Sequence, residues 1–301
     1  MMKFDGIAAF VATTEAGSIS AASRRLGLAK SVVSERLAEL ERILGTKLIQ
    51  RTTRKLSLTE SGQTFLPRAQ RILREADEAA AELAARSGKL AGPLRLSAPV
   101  SFGILHLAPA LTKFIQQHPQ IEVSLELDDR FVDAAAGGFD AVLRHGAIGD
   151  SRLIARRLAT SRRLLVASPA YLEREGHPAS IDELQHHCGI LYSMREGDWR
   201  FSTDHGWQVV RPKAALRANN GLVMREAAMA GLGITLLPTF FIHEAVKSGV
   251  LVPIDVGARA EGAELFITYP RDHGASAKIR ALADSLQRSF GNPPYWDRLA
   301  S

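Results

Sequence analysis

The chain has 301 residues, 46% of them hydrophobic and 23% charged, the balance of a globular protein of two or three folded units and not of a disordered chain. No apolar run reaches the ~18 residues of a membrane-spanning helix, the first residues lack a signal peptide's apolar core, and the single cysteine, Cys188, excludes an intrachain disulfide or a cysteine-based zinc cluster. A cytoplasmic protein with no membrane partner is expected. The net charge is +6, and residues 1–58 carry 10 Lys+Arg against 5 Asp+Glu while the remainder is close to neutral. A small basic module joined to a large neutral one suits a nucleic-acid binder with a second function; a basic surface without that purpose is the alternative.

Phe4, Ile7, Phe10 and Val11 recur at helical spacing, which predicts a first helix ended by Gly17. Ser18 is an N-cap for a second, Ile19 to Leu26, closed by Gly27. A third is expected from about Ser31 to Leu44, stopped by Gly45. Two short helices around a glycine turn read as a helix-turn-helix. On the third helix Val33, Leu37, Leu40 and Leu44 form the anchored stripe. Ser31, Glu35 and Ala38 project from the opposite face with Ser34 on its flank, the arrangement a recognition helix needs to reach base edges. Leu48-Ile49 and Leu56 to Leu58 then flank a tip containing Arg51, Arg54 and Lys55, which reads as a basic β-wing suited to phosphate.

Thr59 caps a long helix with Glu60 in its first turn, and Pro67 is expected to kink its start. Phe65, Ala69, Ile72, Ala76, Ala79 and Leu83 alternate steps of four and three, which predicts a coiled-coil seam between two copies. The alternative is that this stripe packs on its own domain. Gly88, Gly92 and Pro93 mark the boundary beyond it.

These residues carry a resemblance. Phe10, Ala16-Gly17-Ser18, Ala21-Ala22, Leu26, Ser34, Leu40-Glu41, Leu44-Gly45, Leu48, Arg51, Leu58-Thr59 and Gly62 stand at the spacing of the N-terminal domain of LysR-type transcriptional regulators, which the whole chain resembles. The resemblance implies an α/β protein: a winged helix-turn-helix over 1–58, a linker helix for dimerisation over 59–91, and an effector-binding domain over 92–301. The last is built of two Rossmann-like subdomains, 92–162 with 268–301 and 163–267, as in periplasmic binding proteins. It also implies a double-stranded DNA operator, a small-molecule effector, and a homodimer assembling to a homotetramer. The DNA contacts expected are Ser20, Lys30, Ser31, Ser34, Glu35, Arg51, Thr53 and Arg54. Ala29-Lys30 stands where the family often has Ser-Gln, and Glu35 where it often has a basic residue. Lys30 reaching a guanine edge or phosphate and Glu35 accepting from a cytosine amine would alter the preferred operator; a solvated Glu35 is the alternative.

The second half alternates strands and helices, which argues for parallel α/β sheets, with ligand at the carboxyl ends of strands between the subdomains. Strands are expected at 94–97, 121–127, 139–144, 153–158, 163–167, 199–202, 208–210, 233–237, 251–254 and 265–269. Ser168-Pro169 and Asn220 start helices, and Ser180 to Glu183 forms a capping box. Candidate effector residues lie at strand ends: Ser97, Ser101, Phe131 as an apolar wall, His145, and Asn219, Asn220 and Gly221 across the cleft. Amides at two helix N-termini and these hydroxyls suit an anionic or strongly polar effector. Ala230-Gly-Leu-Gly233 follows a helix and precedes a strand, the wrong order for a dinucleotide site. His186-His187-Cys188 lacks a second cluster for a metal, and nothing in the spacing makes Ser101, His145 and Asp133 a catalytic triad. No cofactor, metal or catalytic residue is expected. The readings from another class, an enzyme or a solute-binding protein of the same α/β fold, leave the first 90 residues unexplained.

Overall fold

In the computed structural model the first three helices lie close to where the sequence puts them, and α2 and α3 stop at the glycines that it provides. They are α1 (Phe4–Glu15), α2 (Ile19–Leu26) and α3 (Lys30–Leu44). Ser18 Oγ accepts from the Ala21 amide at 3.1 Å, and Gly27 and Gly45 close α2 and α3 in left-handed conformations, φ 65° and 69°, which only glycine adopts without strain. Ile7, Phe10, Val11, Leu37 and Leu40 pack with Leu48 and Ile49 as one core. Phe4, expected on that face, is 48% exposed, because it occupies the first helical turn. Strands β1 (Ile49–Arg51) and β2 (Leu56–Leu58) pair antiparallel, Ile49 opposite Leu58. The structure describes residues 3–51, 56–86, 90–129, 138–146, 152–195, 199–271 and 276–299. They fall into two compact units, one up to Gly92 and one from Pro93 onward.

Thr59 joins the wing to the long helix. Its Oγ1 donates to the Lys47 carbonyl at 2.6 Å and accepts from the Gly62 amide at 2.9 Å. Helix α4 (Glu60–Arg86) runs without interruption through Pro67, a span of about 40 Å. The first part of its apolar stripe, expected in a seam between two copies, packs on the winged unit instead. Phe65 packs on Phe10 with ring centroids 5.7 Å apart, Ala69 is fully buried, and Ile72 is partly buried against the same core. These three complete the core of the winged unit. Ala76 and Ala79 are exposed, and the side chain of Leu83 lies outside those described.

The second unit begins with β3 (Gly92–Ala98), a helix of three joined stretches (α5, Val100–Phe102; a π-turn, Gly103–Leu107; α6, Ala108–Gln117), β4 (Ile121–Leu127), β5 (Ala141–His145) and β6 (Leu153–Ser161). It continues with β7 (Arg163–Ala167), α7 (Pro169–Glu175), β8 (Cys188–Tyr192), β9 (Trp199–Thr203), β10 (Gly206–Val210), β11 (Lys213–Ala218), α8 (Gly221–Met229), β12 (Ile234–Pro238), α9 (Thr239–Lys247), β13 (Val252–Ile254), β14 (Arg259–Ala260), β15 (Ala263–Pro270) and α10 (Ala277–Phe290). One sheet runs β4-β3-β5-β15-β6, a second β11-β8-β12-β7-β13, and a small third β10-β9-β14.

The two large sheets are mixed and not parallel as the alternation suggested. β3 is parallel to β5, but β15 is antiparallel to both β5 and β6. β8 is parallel to β11 and β12, while β7 is antiparallel to β12 and β13. Parallel neighbours require a crossover connection. Here the chain passes between the sheets as extended strand, from β6 through Arg162 into β7 and back through Gly262 into β15, so the returning strand enters in the opposite sense. That return precedes Ala263, earlier than the expected division at 268. The capping box at Ser180 opens a 3-10 turn (Glu183–His186) and not an α-helix, with Glu183 N donating to Ser180 Oγ at 3.4 Å.

Candidate functional site

On the first unit, α3 buries Val33, Leu37, Leu40 and Glu41 and leaves Lys30, Ser31, Glu35 and Ala38 exposed, with Ser34 and the neighbouring Ser20 of α2 half-buried. No side chain caps the start of α3, where Ala29 takes the N-cap position; α2, by contrast, is capped by Ser18. The first amides of α3 are thereby left to an external acceptor, and a helix N-terminus favours an anion. Arg51 ends β1, and its side chain lies outside those described, as do Thr53 and Arg54 entirely.

The angle between α3 and the wing is held by Glu41. Its Oε1 accepts from the Leu48 and Ile49 amides at 3.0 and 3.3 Å, and its Oε2 pairs with Lys47 Nζ at 2.7 Å. Burial pushes the carboxyl up, but the Lys47 hydrogen bond and the two amides outweigh it and hold the pKa below the usual glutamate value. Lys47 is 75% exposed, so the amides matter more than the ion pair. Glu41→Gln is expected to cost about 2 kcal/mol at neutral pH, the worth of hydrogen bonds to a charged acceptor. Because the folded pKa is depressed, this contribution is complete above the unfolded value and disappears as pH falls through the folded one. Urea unfolding at pH 7 and in the acid range below about 4 checks this: the gap between wild type and variant must close in acid.

In the second unit a cavity of about 470 Å3 opens between the two large sheets. From the first sheet it receives Ser97, Ser101 and Phe102 at the β3-to-α5 turn, Asp129 after β4, and Arg144 and His145 at the end of β5. From the second it receives Tyr192 at the end of β8 and Met194 beyond it, Asn219, Asn220 and Gly221 at the start of α8, and Phe240 and Phe241 of α9. The structure therefore brings Ser97, Ser101, His145, Asn219, Asn220 and Gly221 together. Phe131 and Asp133 lie outside the described residues.

The polar groups of this cavity largely satisfy one another. Asn220 Oδ1 accepts from the Leu222 amide at 2.9 Å, capping α8, while its Nδ2 donates across the cleft to Ser101 Oγ at 3.1 Å. Asp129 Oδ1 accepts from the Val100 amide at 2.9 Å. The helix start expected to receive an anion already holds the protein's own carboxylate. Gly221 is required by the close cover of Phe241, whose ring atoms would lie 2.4–2.7 Å from an added Cβ.

Beneath the cavity an aromatic cluster ties the lobes. His106 Nε2 donates to the Phe240 carbonyl at 2.9 Å, which leaves Nδ1 to accept from the Tyr295 hydroxyl at 2.6 Å. Asp297 accepts from Thr239 of α9 at 2.5 Å and from Thr160 of β6 at 3.3 Å. Trp296, between them, is 1% exposed. Sequence patterning missed this 3-10 turn (Tyr295–Asp297); an adjacent tyrosine and tryptophan after Pro294 was its one visible signal. Burial pulls both His106 and His145 down to about 4, so both are neutral at physiological pH. His187, weighed as a metal ligand, is occupied by Tyr171, whose hydroxyl lies 3.2 Å from Nδ1. Among the described residues, no group of three or more His, Cys, Asp or Glu is placed to hold a metal, and no helix is long and apolar enough to cross a membrane.

Residues 4–63 match the bacterial regulatory helix-turn-helix protein, lysR family, and residues 87–291 match the LysR substrate binding domain. The chain belongs to the LysR family of transcriptional regulators. An HTH-type transcriptional regulator of Haemophilus influenzae is 33% identical over 94% of this chain and 99% of its own length. YhjC of Escherichia coli, also described as an HTH-type transcriptional regulator, is 34% identical over 95% and 97%. Among solved structures, CrgA, a LysR-type transcriptional regulator from Neisseria meningitidis, is 31% identical with a TM-score of 0.62, covering 95% of this chain and 98% of that one. As a LysR-type regulator the chain is a DNA-binding protein with an effector-binding domain, and its relatives' role points away from an enzyme.

Proposed function

We propose that this regulator docks α3 in the major groove of an operator, directs Lys30, Ser31, Ser34 and Glu35 to base edges, and places Ser20, Arg51, Thr53 and Arg54 on the backbone. It acts in the cytoplasm as a homodimer assembling to a homotetramer. The observation that carries the docking is the exposed face of α3, with an uncapped first turn and Lys30 at its head. The exposed Ala76 and Ala79 allow a second α4 to approach closely beyond the stretch that the winged unit uses itself. A small molecule held between the two sheets changes the arrangement of the DNA-binding modules by favouring one conformation. The expected anionic character of that molecule loses one support, since Asp129 already occupies the Val100 amide.

Selection of bound duplexes from a random library by the full chain tests the docking. Arg54→Ala should weaken binding to all recovered sequences and lower the salt slope by about one, whereas Lys30→Ala should change the preferred bases as well as the affinity. Wild-type affinity and preference in both variants would remove the docking model.

A further inference from the structure

Between the helix-turn-helix and the long helix, one carboxylate serves two elements. Glu15 ends α1. Its Oε2 accepts from Arg25 Nη1 of α2 at 2.7 Å, and its Oε1 accepts from Gln70 Nε2 of α4 at 2.9 Å. At the start of α4, Thr59 Oγ1 donates to the Lys47 carbonyl, and Thr46 Oγ1 donates to Ser61 Oγ at 3.1 Å. Gln70 stands roughly 15 Å further along α4 than Glu60. Between these points Phe65 and Ala69 make an apolar contact with the winged unit. Apolar attraction is non-directional, and Ala69 has nothing beyond Cβ to interlock. Polar ties at both ends of that stretch do fix a direction.

We propose that Glu15 is a positioning residue that sets which half-site spacing this regulator accepts, by fixing the direction in which α4 leaves the helix-turn-helix. The proposal rests on the reading that two copies join through α4 and dock both α3 helices on one operator. In that arrangement α4 is a lever. Half-sites read by such a dimer stand about 34 Å apart, one turn of the duplex. A change of about 6° in the direction of α4 moves a recognition helix at that distance by about 3.5 Å, close to the rise of one base pair. A small tilt is therefore a change of register. The Arg25 side chain is 59% exposed, so its pair with Glu15 adds little to stability; what the carboxylate supplies is orientation.

The test uses the full chain and duplexes with two half-sites from the random-library selection, together with versions whose spacer is one base pair longer or shorter. Wild type should bind the selected spacing about ten-fold more tightly than either neighbour, the scale of one mismatched base pair. Glu15→Ala should bind all three within about three-fold of one another, and should bind a duplex with a single half-site as wild type does. Its melting temperature should stay within about 4 °C of wild type, as expected of an exposed pair. Gln70→Glu sets two carboxylates face to face and should behave like Glu15→Ala. Adding Glu15→Gln to it restores one donor and one acceptor in reversed order and should recover most of the spacing preference. A preference retained in Glu15→Ala, an equal loss on every duplex including the single half-site, or no recovery in the double variant would overturn the proposal. A wild type that recovers no paired half-sites, or is indifferent to their spacing, would remove the paired docking itself and the proposal with it.

Discussion

Gly62→Ala is expected to destabilise the winged unit by about 3 kcal/mol, the upper range of overpacking, although the same change at an ordinary helix position stabilises by up to ~1 kcal/mol. The sign is therefore diagnostic. Gly62 stands in the first turn of α4, and an added Cβ would lie 2.0 Å from the Leu48 carbonyl oxygen and 3.0 Å from Leu58 Cδ2. That oxygen cannot swing away, because it accepts from the Thr59 amide at 3.0 Å within the joint between wing and helix. The helix must move, and the Thr59 bonds to Lys47 and Gly62 break with it. Denaturant unfolding followed by circular dichroism, with exposed Gln63→Ala as the control within about 0.5 kcal/mol, measures the difference. A stabilised Gly62→Ala would show that α4 does not sit against the wing at Leu48. Operator affinity should fall with stability, because the wing and α3 share the core that α4 covers.

Trp296→Ala is expected to cost about 3–5 kcal/mol, the range for deleting a buried large aromatic. The indole packs 4.8 Å from His106, 5.1 Å from Phe290 and 5.8 Å from Phe102 between ring centroids. Its Nε1 has no hydrogen-bond partner among the described residues, so the loss is one of packing alone, and Trp296→Phe should recover much of it. The flanking Asp297 bonds Thr239 of the other lobe, and Tyr295 bonds His106, which itself reaches the Phe240 carbonyl across the lobes, so the alanine variant should also loosen the cavity above. Thermal unfolding with and without ligand reads both effects. A loss below about 1 kcal/mol, the scale of an ordinary surface change, would mean that the segment does not pack beneath the cavity.

Local chemistry was legible in the sequence. Ser18, Gly27, Gly45, Thr59, Ser168 and Asn220 punctuate the chain where they were expected to, because a cap needs only residues a few positions apart. Strands β8 and β11 were not foreseen. Cys188 to Tyr192 is a short apolar run that suits either element, and Lys213-Ala-Ala-Leu-Arg-Ala218 reads as well for a helix; both become strands by pairing with each other. Strand direction was equally invisible, since nothing in Leu265 to Tyr269 records that it lies antiparallel between β5 and β6. The cavity divides the same way. Ser97, Ser101, His145 and Asn220 could be named because strand ends collect ligands in such folds. The Asp129 cap on Val100 and the cover from Phe240 and Phe241 join residues about 30 and 100 or more positions apart, a separation that no local pattern carries. That Phe65, Ala69 and Ile72 of the expected seam meet the winged unit's own core was not legible for a related reason: a repeat of four and three fixes one helix face, but not whether that face meets the chain's own core or a second copy.

The place of β15 has a consequence for how the chain is made. β6 meets its sheet through β15 alone, and β5 has β15 on one side, yet roughly 100 residues separate the end of β6 from the start of β15. At about 5–20 residues per second of synthesis, the first sheet waits on the order of 5–20 s with one strand unpaired and one edge open. The sheet β11-β8-β12-β7-β13, contiguous in sequence, can form in that interval. An open strand edge is a template for pairing with other chains, so the nascent protein's most vulnerable interval is set by the length of the lobe inserted between the two halves of its neighbour.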